Sequence, residues 1–259
     1  MQSMAGIHPQ LPLAPTLGPL GDQPRAALDR LADMGFRYVQ LCATQRGMRP
    51  RDLDRSARRD LLVRLRRLEM QVSGLDLWIP PSHFLDPALV DRAVEAVRAA
   101  LELAGDLQRC SISLELPRPL DDESLGPVIE TIAEQGLRVG VELADHSVAN
   151  ATQDHLGIGI DPVAQLSCNE DPAVAVTKHA ERLVSARLCD LLASGTRGPI
   201  GEAQGGRLDV LSYRIALSVG GYDRPVVVDA RQWSDPWPGL TQTARTWSAA
   251  RTGDLISPG

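Results

Sequence analysis

The stretch Arg138-Val139-Gly140-Val141-Glu142-Leu143-Ala144-Asp145-His146 sorts into two rows when read with period 2. Val139, Val141 and Leu143 form an apolar row, and Gly140, Glu142 and Ala144 form a row of small residues carrying one carboxylate. Alternation of this kind predicts a strand with helices on one side and a crowded interior on the other. Three later stretches repeat it. Gly157-Ile158-Gly159-Ile160-Asp161 leads from two glycines to an aspartate, and in Leu183-Val184-Ser185-Ala186-Arg187-Leu188-Cys189-Asp190 the small row Ser185, Cys189 flanks Arg187. In Val226-Val227-Val228-Asp229-Ala230-Arg231 the inner row ends in Asp229 and Arg231. Four successive strands thus deliver a charged side chain at or near their C-terminal ends, which points to one site assembled from several strands.

Working outward, four earlier segments read as strands: an irregular Ile7 to Leu13, then Tyr38 to Cys42, Val72 to Ile79 and Cys110 to Leu116. Gly74, Asp76 and Trp78 share one face of the third, and Ser111, Ser113 and Glu115 form the polar row of the fourth. Helical spacing is predicted from about Gln23 to a stop at Gly35, from Leu53 to Leu68, from Pro87 to about Ala104 behind an Asp86 N-cap, and from Glu123 to Gln135 before Gly136. Further helices are expected at Ala173 to Arg182, Asp209 to Ser218 and Leu240 to Ala250, while the connection from Asp145 to Leu156 is too short for much of one. Strand and helix therefore alternate eight times, which implies parallel strands with helical crossovers. Eight units in 259 residues favour an α/β fold of one (β/α)8 TIM barrel, with a shortened helix after strand 5, over an open doubly wound sheet. A single domain over 1–259 is expected, with about 1–20 and 251–259 peripheral.

Composition narrows the function. A chain with 43% hydrophobic and 23% charged residues is of ordinary globular type. Its net charge of −6 argues against nonspecific nucleic-acid or anionic-membrane binding, which need a basic surface. No run approaches the roughly 18 apolar residues of a membrane span, and the first twenty residues lack a secretory pattern. Cys42, Cys110, Cys168 and Cys189 show no paired spacing, so reduced thiols in a cytoplasmic protein are expected. The arginines from Arg55 to Arg67 interleave with Asp54 and Asp60 and read as a solvated helix face. Neither a GxGxxG after a first strand nor a Walker-type loop occurs.

From about Gly21 to Ala249 the chain resembles the xylose isomerase-like barrel superfamily, the sugar isomerases and epimerases that share a fold with endonuclease IV. The resemblance rests on Gly140-Val141-Glu142, Gly157-Ile158-Gly159-Ile160-Asp161, Asp171-Pro172 and Arg187-Leu188-Cys189-Asp190, followed by Gly201-Glu202, Leu208-Asp209, Gly221-Tyr222 and Val227-Val228-Asp229. It implies a divalent metal (Mn, Mg, Co or Zn) at the C-terminal mouth, with Glu142, Asp161 and Asp229 at ligand positions. The chain departs from the pattern in three places. The position of a histidine ligand is Arg187, which cannot bind a metal; Asp229 stands for a longer Glu; and Ala164 replaces a further histidine.

Two readings follow. In one, Glu142, Asp161 and Asp229 hold a metal through oxygen ligands. Glu142 and Asp229 then pass a proton through an enediolate of a sugar or polyol, while Arg187 binds a substrate oxygen. In the other, Arg187 and Arg231 replace the metal, and the barrel is a metal-free carbohydrate-binding or repurposed protein. Endonuclease activity is disfavoured, because it calls for more histidine ligands and a basic groove. The expected partner is a small-molecule sugar or polyol, with no nucleic acid and no membrane, and a homo-oligomer remains open.

Lesser candidates surround these residues. His83, in the loop after the third strand, and Glu115 and Trp78 are candidates for substrate binding beside Arg187 and Arg231. His146 could replace a ligand, and His8 could face the interior, while His155 and His179 read as loop and helix-surface residues. Asp76 or Glu115 should contact Arg187 or Arg231, since buried carboxylates are rarely left unpaired. Trp233 and Trp237 read as loop packing. Arg197 and Arg207 could bind phosphate from the Gly-rich loop, although exposed loop charges are commoner.

Overall fold

The chain is described by a computed structural model over residues 11–117, 126–147, 156–201 and 205–250. Its strands in chain order are β1 (Leu13–Pro15), β2 (Tyr38–Cys42), β3 (Gln71–Asp76), β4 (Ser111–Leu114), β5 (Leu143–Asp145), β6 (Gly157–Ile160) and β7 (Leu183–Leu188). A short antiparallel hairpin of β8 (Asp190–Leu191) and β9 (Arg197–Gly198) follows, then β10 (Val226–Val228). The helices are α1 (Pro24–Asp33), α2 (Arg55–Arg67), α3 (Val90–Asp106), α4 (Gly126–Val139), α5 (Pro162–Ser167), α6 (Pro172–Lys178), α7 (Val210–Val219) and α8 (Pro236–Ala249). Eight strands are parallel, in the order β1-β10-β7-β6-β5-β4-β3-β2. The ends of this sheet meet where Leu17 N–H donates to the Gln40 carbonyl at 2.8 Å, so the eight strands close into a barrel.

Two kinds of side chain make the layers. Val39, Leu41, Leu75, Ile112, Leu114, Ile158, Ile160, Leu188, Val226 and Val228 are buried in one apolar core with helix residues such as Leu28, Leu65, Val97, Ile129, Tyr213 and Trp247. The alternate positions turn inward and are small or polar. Gln40 Nε2 donates to Ser113 Oγ at 3.4 Å, and Ser113 Oγ lies 3.4 Å from Ser185 Oγ, which spans the interior from β2 to β7. Local signals set the helix starts. Asp54, Asp161, Asp171 and Asp209 each accept a backbone N–H from the first turn of the helix that follows, and Pro162 and Pro172 occupy first-turn positions.

The sequence frame needs correcting in four places. α4 runs on through Arg138 and Val139 and ends in a Schellman motif. Val141 N–H reaches the Gly136 carbonyl at 3.0 Å, Gly140 N–H reaches Leu137 at 3.2 Å, and Gly140 takes φ +68°. The fifth strand therefore starts at Leu143, not at Arg138. Residues 11–20, expected at the periphery, supply β1 and the buried Leu11, Leu17 and Leu20. α5, between β6 and α6, was not anticipated. The shortened helix expected after strand 5 falls largely on residues 148–155, outside the described residues, as do His8, Glu123, His155 and Glu202. Among the described residues no helix is long and apolar enough to cross a membrane.

Glycines on the inner rows make room for larger neighbours. A Cβ on Gly159 would run into the imidazole of His146. Gly159→Ala should therefore cost about 1–3 kcal/mol through overpacking. Gly105→Ala, in α3 with open space around it, should gain about 0.4–1 kcal/mol. Urea titration of the two variants measures both.

Candidate functional site

The C-terminal ends of the parallel strands carry a network of aspartates and arginines. Arg187, on β7, has its guanidinium wholly inside the barrel, where Nη2 donates to Asp76 Oδ1 at 2.6 Å and Nη1 lies 3.5 Å from Asp229 Oδ2. Asp76 ends β3 and also accepts from Gln40 Nε2 at 2.9 Å. Asp229 follows β10 and is gripped by Arg231, whose Nη2 meets Oδ2 at 2.6 Å and Nε meets Oδ1 at 2.9 Å. Asp161 follows β6; its Oδ1 caps α5 through Val163 N–H at 3.0 Å, which fixes the carboxylate in place.

Arg197 joins the two halves. Its Nη1 donates to Asp161 Oδ1 at 3.0 Å and to Asp229 Oδ2 at 3.2 Å, while Nη2 pairs with Asp161 Oδ2. A fork gripping one carboxylate and reaching a second is the geometry a guanidinium supplies and an ammonium does not. The β8–β9 hairpin carries Arg197 inward. Its base is tied by Asp190, whose Oδ1 accepts from Arg207 and Leu208 N–H at 2.7 and 2.8 Å. Gly206 is required beside it, because a Cβ there would occupy the Asp190 carboxylate.

Trp78, two residues beyond β3, faces two of these cations. The guanidinium carbon of Arg231 lies 3.7 Å from the ring centroid and that of Arg187 4.7 Å from it. The buried imidazole of His146 stands 6.5 Å from the indole, tilted by 55°. Neither of its ring nitrogens has a hydrogen-bond partner among the described residues, and the same holds for Nε of Arg187.

Burial and charge act together on these groups. Desolvation pushes the Asp229 carboxyl up, but Arg187, Arg231 and Arg197 outweigh it and hold the group well below the usual carboxylate range. Burial alone would lower Arg187, yet Asp76, Asp229 and Asp161 keep it above its ordinary value. Burial lowers His146, and Arg187 and Arg231 push it further, so the imidazole is neutral. Burial raises the Cys189 thiol, which keeps it protonated and unreactive although it touches Arg197.

Beside the network a pocket of about 400 Å³ opens over the C-terminal ends of β10, β1, β2 and β3. Asp76, Trp78 and Arg231 form its inner wall, and Asp22, Arg46 and Arg49 its outer wall. This is the barrel face on which (β/α)8 enzymes carry their sites.

Of the residues read from sequence, Asp161, Arg187, Asp229, Arg231 and Trp78 come together here. Glu142 does not. β5 pairs with β6 through Ala144 and Gly157; Glu142 lies two residues below that pair and Asp161 four above it. The two are thus six strand positions apart, about 20 Å along the strand direction at ~3.3 Å per residue. Glu142 sits at the opposite end of the barrel, exposed and paired with Arg224 at 2.6 Å. The same inner row reaches the mouth as His146, four residues later. Glu115 lies just past β4 with an exposed side chain, and His83 sits half-buried in the turn Pro81–Phe84. Neither contacts the network. Asp76 meets Arg187 as expected of a buried carboxylate, whereas Gln40 was missed, although its inward parity on β2 was readable.

The expected metal does not fit these residues. Asp161 and Asp229 already share Arg197 and Arg231, and Glu142 is out of reach. Among the described residues no group of three or more His, Cys, Asp or Glu is disposed to hold an ion.

Comparison with solved structures matches the whole architecture. A xylose isomerase domain protein from Planctomyces limnophilus aligns with a TM-score of 0.71 at 14% identity, over 94% of this chain and 97% of that one. The fold is that of the xylose isomerase-like TIM barrels. A xylose isomerase-like TIM barrel protein from Mycobacterium smegmatis in complex with magnesium matches at TM-score 0.69 and 12% identity, covering 95% and 98% of the two chains. D-allulose 3-epimerase from Methylomonas sp., in complex with D-allulose, matches at 0.66 and 16% identity, covering 94% and 98%. No family model and no curated protein matches the sequence. On this xylose isomerase-like barrel the Arg–Asp network stands at the mouth.

Stability should fall with pH in two stages. His146, neutral in the fold, loses its contribution as pH drops below the ordinary imidazole value of 6.5. Asp229, depressed in the fold, contributes above the ordinary carboxylate value of about 4 and loses that contribution as pH falls below it. Urea midpoints measured across pH should show both stages, with His146→Gln flattening the upper one. Asp229→Asn should cost about 3–5 kcal/mol near neutrality, because it strips a buried guanidinium of a partner.

Proposed function

We propose that this chain is a metal-independent barrel that binds a carbohydrate or polyol at its C-terminal mouth, with guanidinium groups in place of a divalent cation. The observation that carries this reading is Arg197 forked onto Asp161 and shared with Asp229, the two carboxylates that the family resemblance assigns to a metal. Arg187 and Arg231 complete the substitution, so three guanidiniums face Asp76, Asp161 and Asp229. Displacing them with an ion would leave positive groups desolvated next to it, which is unfavourable. Carbohydrate as the ligand class is supported by the fold's likeness to sugar epimerases and by the pocket's mixture of indole, hydroxyl, carboxylate and guanidinium groups. Two-carboxylate proton transfer is not supported, because Glu142 and Asp229 belong to opposite ends of the barrel and cannot flank one substrate. A binding role therefore fits the geometry better than the family's isomerase chemistry.

Titration calorimetry with a panel of ketohexoses and polyols, with and without EDTA, tests this. Binding should be insensitive to EDTA. Trp78→Ala should weaken it roughly tenfold, the loss of an aromatic platform worth about 1.4 kcal/mol. A stoichiometric Mn, Mg or Zn in protein purified without chelator, with sugar binding lost on its removal, would overturn the reading.

A further inference from the structure

The pocket beside the network carries a charge imbalance that the network does not use. Of its lining groups, Asp76 is committed to Arg187 and Gln40, and Arg231 to Asp229 and Asp161. Arg46 and Arg49 remain. Neither is in an ion pair among the described residues; Arg49 is steadied by Nε donating to the Thr44 carbonyl at 3.1 Å, and Arg46 is exposed at the rim. The acid on the outer wall, Asp22, is also exposed and is in no ion pair among the described residues. Among the described residues, two guanidiniums and one carboxylate of the outer wall are thus outside any ion pair, on a chain whose overall charge is −6.

We propose that the ligand of this pocket is a sugar acid, a polyhydroxy compound whose chain ends in one carboxylate, held through that carboxylate by Arg46 and Arg49. This rests on the reading of the mouth as a carbohydrate site. Guanidinium groups take a carboxylate through paired charge-assisted hydrogen bonds. Asp22 offers an acceptor, which suits a hydroxyl donor and disfavours a bare anion. An excess of one positive charge matches a monoanionic carboxylate better than a phosphate, whose second charge would face Asp22. The cavity, about 400 Å³, lies within the size range of small-molecule sites.

The test is calorimetry on the intact chain near pH 7, where a carboxylate is ionised, with four probes: D-gluconate, D-glucitol, D-glucose 6-phosphate and inorganic phosphate. Gluconate should bind roughly tenfold or more tightly than glucitol, the scale of one charge-assisted hydrogen bond. Arg46→Glu, at an exposed position with no hydrogen bond or ion pair among the described residues, should erase the preference for gluconate over glucitol and leave the melting temperature unchanged. Equal affinity for gluconate and glucitol would overturn the sugar-acid assignment while leaving the carbohydrate reading intact. Tighter binding of glucose 6-phosphate or inorganic phosphate than of gluconate would also overturn it. Binding of none of the four would overturn it together with the reading on which it rests.

Discussion

A guanidinium with no exposed surface has to be compensated where it lies, and Arg187 imposes that condition on the whole mouth of this barrel. Removing an arginine from water costs several kcal/mol even after relaxation, and only charges within contact distance offset it. Asp76 supplies one of those charges from the end of β3, on the opposite wall, and Asp229 the other from just past β10, the strand beside β7. Each carboxylate must then be satisfied in turn. Gln40 completes Asp76, Arg231 and Arg197 complete Asp229, and Arg197 also takes Asp161. The network closes on itself because every removal would leave a buried charge exposed to a low-dielectric interior.

The scaffold makes this possible through parity. In a closed parallel barrel every second residue points inward, and the interior is too narrow for many large side chains. Gly74, Ser113, Ala144, Gly159 and Ser185 keep the lower layers small or hydrogen-bonded, so the arginines can fill the upper one. Gly159 illustrates the trade: it gives up a side chain so that the His146 imidazole can lie against it. Burial keeps His146 neutral, reinforced by the same cations that the carboxylates neutralise.

Substituting arginine for a metal changes what the site can do. A metal with open positions accepts substrate oxygens and polarises them. A guanidinium forked onto two carboxylates has spent its donors on those groups, and it holds them rigid. What remains available to a ligand lies beside the network, on Trp78, Asp22 and the two outer-wall arginines that are in no ion pair among the described residues.

The eight parallel strands, the inward charge at the ends of β6, β7 and β10, and the pairing demanded by a buried Arg187 were all legible in the sequence. They follow from period-2 burial and from local chain chemistry, which neighbouring residues determine. The frame of β5 was not legible from alternation. Val139, Val141 and Leu143 alternate equally well as a strand or as a helix end followed by a turn. The signal that separates the two is Gly140 behind Arg138, a helix-stop pattern. Sequence alone therefore determined the barrel and brought Asp161, Arg187, Asp229, Arg231 and Trp78 to its mouth. Only the tertiary structure could send Glu142 to the far end, bring His146 up in its place and swing Arg197 in from a glycine-rich loop. Strand register depends on the neighbouring strands, and a loop's path depends on anchors distant in sequence, such as Asp190 holding Arg207 and Leu208.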